Sequence, residues 1–179
     1  AIRALAGATT KTIDLRGKTV TPGLIDAHNH LQVWGTLLTD YVPLIPPEVK
    51  TLDDLLAKLK QAIAKAKSGE WVLGYFWDLD PPTRAQLDPI SPNNPLWVMQ
   101  QGGHFASVNS AALKIANITA QTKNPEGGFI ERDKQGNPTG VLYNHRAMDL
   151  VRAHMPQPTP QQIANSLKTS EMKMVEVGV

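Results

Sequence analysis

The sequence contains no cysteine, which excludes a disulfide framework and any metal site built from thiolate ligands. A metal bound by this chain must therefore be held by histidine, aspartate, glutamate or a modified lysine. The absence of disulfides fits a reducing compartment, and we expect a cytoplasmic location.

Long apolar runs and a strong charge of one sign are also missing. No uninterrupted apolar stretch approaches the roughly 18 residues that a membrane helix needs, and we expect no membrane span. The 18 lysine and arginine residues nearly balance the 16 aspartate and glutamate residues, which leaves a net charge of +2. This charge is too small to favour nucleic acid or an anionic membrane surface as a partner.

The composition that remains, 41% hydrophobic and 19% charged over 179 residues, is typical of a globular protein with one domain or slightly more. The first residues, "AIRALAG", carry neither an initiator methionine nor a secretory signal. The chain ends one residue after Gly178, although a glycine after a helix is normally followed by another element. These features predict a segment of a longer protein.

One short stretch, "TPGLIDAHNH" (Thr21 to His30), carries the clearest chemistry. Its apolar run predicts a strand that is covered on both faces, as in a parallel sheet. On such a strand Asp26, His28 and His30 project to one side, and the two imidazoles lie about 6 to 7 Å apart along the strand. Two neutral imidazoles at that spacing can share a divalent ion such as zinc, while Asp26 can orient a ligand from behind.

A histidine pair of this kind also arises by chance, as a polar end of a strand. Its position favours the metal, because α/β folds and (β/α)₈ barrels place their chemistry at the carboxyl ends of parallel strands.

The rest of the chain mixes helical and strand patterns, which predicts an α/β fold. Apolar residues at helical spacing follow Thr51, a candidate N-cap, with Gly69 as a candidate stop. Further helices are predicted after "SVN", over Asn144 to His154, and from Thr159 onward with Gln162 completing a capping box. Strands are predicted for "KTIDLRGKTV", "WVLGYFWD", "PLWVMQ" and the hairpin "GGFIERDKQGNPTGVLY".

These motifs together resemble the amidohydrolase superfamily. "VTPGLIDAHNHL" resembles the first barrel strand of that superfamily. The order of "WVLGYFWD", "PPTRAQLDPISPNNPLWV", "GGHFASVNSAALKIANI" and the hairpin is similar to that in the amidohydrolase 3 family, the branch that includes N-substituted formamide deformylases. The resemblance covers essentially the whole chain.

The resemblance implies a fragment of a metal-dependent hydrolase with a (β/α)₈ barrel, a small β-sandwich and an inserted α/β subdomain. Residues 1–19 would be the tail of the β-sandwich and residues 20–30 the first barrel strand. Residues 31–158 would be the inserted subdomain, and residues 159–179 a helix that leads to the second barrel strand.

The resemblance also implies hydrolysis of an amide-type carbon–nitrogen bond in a small molecule, by water that a divalent metal activates. His28 and His30 match the first two metal ligands of the family. The other ligands and the catalytic base would lie beyond Val179. Because a catalytic zinc usually has three protein ligands, we expect this chain to bind metal weakly or not at all and to be inactive alone.

Four residues are candidates for substrate binding. His104 follows two glycines and matches a glycine–histidine of the family that faces the active site, although it could equally be bonded within its own loop. Trp77 and Asp78 match a tryptophan–aspartate at a strand end, with a core aromatic and a turn carboxylate as the alternative. Asn109 is more simply explained as a helix N-cap than as a pocket residue.

Two hypotheses about function remain open. Either the chain is part of a metal-dependent amidohydrolase, with His28 and His30 on one open face, or it is a free-standing binding or oligomerisation module that derives from such an enzyme. The second hypothesis predicts a closed core with no exposed strand. In either case an apolar strand over residues 20–30 needs a cover, from a second copy or from the rest of the same protein.

Overall fold

The sheet at the centre of the fold is mixed, with three parallel strands followed by three antiparallel ones. The computed structural model describes residues 2–179, and its six strands lie in the order β1-β2-β3-β4-β6-β5. These strands are β1 (Val42–Pro43), β2 (Val72–Trp77), β3 (Leu96–Gln100), β4 (Phe105–Val108), β5 (Phe129–Arg132) and β6 (Pro138–Tyr143). The predicted α/β class is confirmed.

Helices cover both faces of this sheet. They are α1 (Leu31–Asp40), α2 (Leu52–Ile63), α3 (Arg84–Leu87), α4 (Ser110–Ile115), α5 (Asn144–Arg152) and α6 (Pro160–Glu176), with short 3-10 helices over Ile2–Leu5 and Asp88–Ile90. Among residues 2–179, no helix combines the length and the apolar character that crossing a membrane requires.

Strand direction brings several chain segments to one edge of the sheet. Strands β1, β2 and β3 are parallel, whereas β4 runs against both β3 and β6, and β5 runs against β6. Strands β1, β2, β3 and β6 therefore end at the same edge, where β4 and β5 begin. We call it the carboxyl edge.

The sheet separates two apolar cores. On one face, Trp97, Val108 and Leu142 pack with Met148 and Val151 of α5 and with α4. On the other face, the core contains residues of α2, α3, β2 and β3, namely Leu55, Leu59, Leu87, Val72, Trp77, Leu96 and Val98. The burial of both faces fixes the sheet, and with it the positions of the loops at the carboxyl edge.

The predicted helix starts are confirmed by their caps. Thr51 accepts a hydrogen bond from the Asp54 N–H, and the Asp54 carboxylate accepts one from the Thr51 N–H. Thr159 and Gln162 form the same reciprocal arrangement, with Pro160 in the first helical position. Helix α2 ends earlier than predicted, at Ile63, and a turn leads from it to Gly69.

The predicted strands over "KTIDLRGKTV" and over residues 20–30 do not form in this structure. These residues form turns, a bend and irregular chain, and they are exposed. A strand needs a hydrogen-bonding neighbour, and a single long bond, 3.4 Å from the Leu24 N–H to the Gly178 carbonyl, joins this segment to the carboxyl-terminal residues. The barrel and sandwich roles of these residues stay predictions.

Helices α1 and α6 pack closely because small residues line their crossing. A Cβ added to Gly35 would lie 2.1 Å from the Ser166 carbonyl oxygen, so only glycine allows this approach. The Ser170 hydroxyl donates to the Leu31 carbonyl at 2.9 Å, and the Thr39 and Ser166 hydroxyls lie 3.1 Å apart. This packing fixes the start of α1, which directly follows the histidine pair.

Candidate functional site

The histidine pair lies immediately before α1. His30 is the residue that precedes the helix, and its carbonyl accepts the first helical hydrogen bond from the Trp34 N–H at 2.8 Å. The Trp34 ring contacts Phe76 near the end of β2, with 5.6 Å between ring centroids. The start of α1, and with it the histidine pair, therefore lies towards the carboxyl edge of the sheet.

The two imidazoles are neighbours on an open surface. Their centroids are 5.3 Å apart, their planes meet at 62°, and both residues are exposed. The predicted common side for His28 and His30 is therefore present, although the backbone is bent there and not a strand.

Asp26 orients the backbone of this segment. Its carboxylate accepts a hydrogen bond from the His28 N–H at 3.0 Å, and its carbonyl accepts one from the Asn29 amide at 3.3 Å. We predicted that the Asp26 carboxylate orients a histidine ring. In this structure its carboxylate bonds instead to the main-chain N–H of His28. In this structure Asp26 shapes the bend that carries His28 and His30.

The donor chemistry of this pair fits part of a metal site. Two exposed imidazoles within 5.3 Å can converge on one divalent ion. Within residues 2–179, however, no cluster of three or more histidine, aspartate or glutamate side chains is placed to hold an ion. The pair therefore supplies two ligands, and a complete site needs ligands from elsewhere.

A hydrogen-bond network at the carboxyl edge joins two of the predicted substrate residues. The Gln100 amide oxygen accepts bonds from the Gly102 N–H at 2.9 Å and from the His104 N–H at 3.3 Å. The Gln100 amide nitrogen donates to the Asp78 carboxylate at 2.9 Å. Asp78 and His104, both exposed, are thus held on the same edge by one side chain.

Trp77 has a structural role and also borders this edge. Its ring is 3% exposed and belongs to the core beneath α2, and its indole N–H donates to the Asp80 carbonyl at 2.9 Å. Of the two interpretations of Trp77, a substrate-binding residue or a core aromatic, the burial of its ring favours the core aromatic. Trp77 is the last residue of β2 and directly precedes Asp78 in the chain.

Asn109 lies away from the other candidates. It follows β4 at the opposite edge of the sheet and is completely buried. Its amide oxygen accepts from the Leu96 and Ala112 N–H groups, and its amide nitrogen donates to the Ser91 and Asn94 carbonyls. The N-cap interpretation is confirmed, and these four bonds occupy both polar atoms of the Asn109 side chain.

Sequence reasoning missed two residues of this edge, namely Gln100 and Phe76. The strand "PLWVMQ" ends in a glutamine at the carboxyl edge, which is a usable signal for Gln100. Phe76 has φ +68°. This conformation depends on its neighbours in the fold, so it cannot be predicted from the local sequence.

Comparison with known proteins identifies the family of this chain. Residues 11–176 match the model of the amidohydrolase family. The chain is 41% identical over 155 residues to the protein LONG AFTER FAR-RED 3 of Arabidopsis thaliana, covering 84% of this chain and 26% of that protein. It is 40% identical over 147 residues to an N-substituted formamide deformylase of Arthrobacter pascens, covering 79% of this chain and 27% of that enzyme.

A solved structure supports the fold. A metal-dependent hydrolase of unassigned function from Pyrococcus horikoshii superimposes with a TM-score of 0.57 at 22% identity, over 88% of this chain and 29% of that chain. The chain thus spans between a quarter and a third of the length of these relatives. On the match over residues 11–176, the chain belongs to the amidohydrolase family.

Proposed function

We propose that this chain is the part of a metal-dependent amidohydrolase that supplies the first two metal ligands and a substrate-facing edge. The observation that carries the proposal is the exposed imidazole pair, His28 and His30, with ring centroids 5.3 Å apart at the start of α1. The family match and the solved hydrolase fold support it.

The proposed ion is divalent, with zinc as the first choice, because neutral imidazole is a good zinc ligand. A bound ion of this kind polarises a carbonyl group and makes its water a nucleophile at neutral pH. The part of this chain is to hold the ion through His28 and His30, while Asp26 fixes the bend between them through the His28 N–H.

The proposed substrate is a small molecule with an amide-type carbon–nitrogen bond, in line with the formamide deformylase among the relatives. His104 and Asp78 are the proposed polar contacts to it, because both are exposed on the carboxyl edge and Gln100 holds them together. Trp77 supports this edge from the core.

The exposed amino-terminal segment favours this proposal over a free-standing module. Val20, Leu24 and Ile25 are 70%, 61% and 92% exposed, which is not the closed core that the module predicts. We propose that this segment is covered by the remainder of the same protein or by a second copy, since an uncovered apolar segment promotes association.

Assays of amine release from small formamides and acetamides test the proposed function. We expect no turnover by the 179-residue chain with added zinc, and turnover by a protein in which this chain is joined to the rest of the barrel. The variant His28→Ala/His30→Ala should lower kcat/KM of that protein at least about 100-fold.

The control is His154→Ala, which removes an exposed imidazole that follows α5, far from the carboxyl edge, and should leave the rate unchanged. Chelator-sensitive hydrolysis by the 179-residue chain would show that its predicted inactivity is wrong. Full activity of the double variant would disprove the proposed ligands.

A further inference from the structure

A bulge in β2 places the side chain of Trp77, and not that of Phe76, in the core. Tyr75 pairs with Met99, but Trp77, not Phe76, pairs with Gln100. By simple alternation Phe76 would follow Val72 and Gly74 onto the face covered by α2. Because the bulge adds one residue, Trp77 lies on the face covered by α2, and Phe76 is half-buried at the carboxyl edge.

This arrangement strains the backbone. Phe76 has φ +68°, in the left-handed region that bulky side chains rarely adopt. A bulky residue held there is strained, and such residues concentrate at ligand sites. The packing of the sheet tolerates this strain, although a glycine at position 76 would avoid it.

The strained residue places its ring against α1, the helix that follows the histidine pair. Phe76 contacts Trp34 with 5.6 Å between ring centroids, and Trp34 is one helical turn after His30. Trp34 is itself 38% exposed. The two rings thus form an apolar wall at the carboxyl edge, between the start of α1 and the end of β2.

An apolar cleft of about 470 Å³ opens beside Phe76. It lies among the loops that follow β1, β2 and β3, which is where open α/β sheets bind ligands. The polar groups of its lining are Lys50, Asp78 and Gln101, and the remaining lining is apolar, namely Leu44, Ile45, Pro46, Val49, Phe76, Trp77 and Leu79. The volume falls in the range of small-molecule sites, roughly 300–1,000 Å³.

We infer that this cleft, with the Trp34–Phe76 wall, is the subsite for the apolar group of the substrate. The inference rests on the proposed function and extends it, because it specifies an amide that carries a ring or branched alkyl group. Asp78 at the polar side of the cleft would face the amide end. The strained backbone conformation of Phe76 then has a role, because it keeps the Phe76 ring at the cleft.

Two amides that differ only in their apolar group test the inference. The metal-free chain is titrated with N-cyclohexylacetamide and with N-methylacetamide, and binding is followed by NMR line broadening and shifts. We expect the cyclohexyl compound to bind about tenfold or more tightly, since each buried methylene adds a favourable transfer free energy. Phe76→Gly and Ile45→Ala should each reduce this preference to less than about threefold.

Ile115→Ala is the matched control. Ile115 is 44% exposed and Ile45 is 40% exposed, but Ile115 lies on α4, which begins at the edge of the sheet opposite the cleft. The control should keep the full preference. Phe76→Gly should fold normally, because glycine adopts φ +68° without strain.

Equal binding of the two amides, or a preference that survives both Phe76→Gly and Ile45→Ala, would overturn the inference. Loss of the preference in Ile115→Ala as well would also overturn it, because the effect would then not belong to this cleft. The assay contains no metal and involves no turnover. Its outcome is therefore independent of whether His28 and His30 bind an ion.

Discussion

At the scale of single residues, Gln100 determines the position of His104. Its amide oxygen accepts from two N–H groups of the loop, those of Gly102 and His104, while its nitrogen binds Asp78. A Cβ at position 102 would lie 2.9 Å from the His104 ring, so a side chain there would displace that exposed ring.

Gln100→Ala should therefore loosen the loop. We expect hydrogen exchange at the Gly102 and His104 amides to become about tenfold faster, because each lost bond is worth about 1 kcal/mol. Gln101→Ala, at an exposed neighbour for which no side-chain hydrogen bond is described, is the control and should leave the exchange unchanged. Equal exchange in Gln100→Ala and the unaltered chain would show that Gln100 does not hold the loop.

The candidate site could be predicted in part from individual residues. The histidine pair, Asp78 and His104 could be proposed from the sequence because each follows an apolar run that predicts a strand. Asn109 was assigned two roles, and its burial leaves only the cap. Phe76 could not be found, because its positive φ results from a bulge that two paired strands create together.

At the scale of elements, α1 depends on α6. Helix α1 carries the histidine pair at its start, and Gly35 lets its backbone lie against Ser166. The hydroxyl contacts of Ser170 and Thr39 lie in the same crossing. Mispacking of this crossing would therefore displace the proposed metal ligands.

Gly35→Ala should destabilise the chain by about 1–3 kcal/mol, because the new methyl group has no space against the Ser166 carbonyl. Urea unfolding followed by circular dichroism measures this change. Gly23→Ala is the matched control, since a Cβ there meets nothing within 4 Å. Equal stability of Gly35→Ala and the unaltered chain would contradict the described crossing.

The elements also show where sequence patterns suffice. Helices α2 and α6 were predictable because a cap and an apolar period coincide at Thr51 and Thr159. Helix α1 was missed because "LQVWGTLLTD" contains a glycine and β-branched residues, and its packing against α6 is tertiary. Strand β4 was missed because its four residues run directly into the cap of α4.

At the scale of the whole molecule, exposed apolar side chains concentrate at the two ends of the chain. Ile13, Val20, Leu24 and Ile25 are exposed near the amino end, and Met172, Val175 and Val177 near the carboxyl end. The hydrogen bond from Leu24 to Gly178 joins these two regions. Residues 20–30 have the apolar pattern of a strand, but in this structure they form an exposed apolar surface. A strand there needs a neighbouring segment to pair with, and the local sequence does not contain one.

The central claim is that His28 and His30 share one divalent ion. Histidine ring signals of the 179-residue chain, followed by NMR during a zinc titration, test it directly. We expect the His28 and His30 signals to move together along one weak binding curve, while those of His104, His145 and His154 stay in place. His30→Ala should weaken the response of His28 at least about tenfold. Separate curves for the two rings, or a response no larger than that of the other three histidines, would contradict the account.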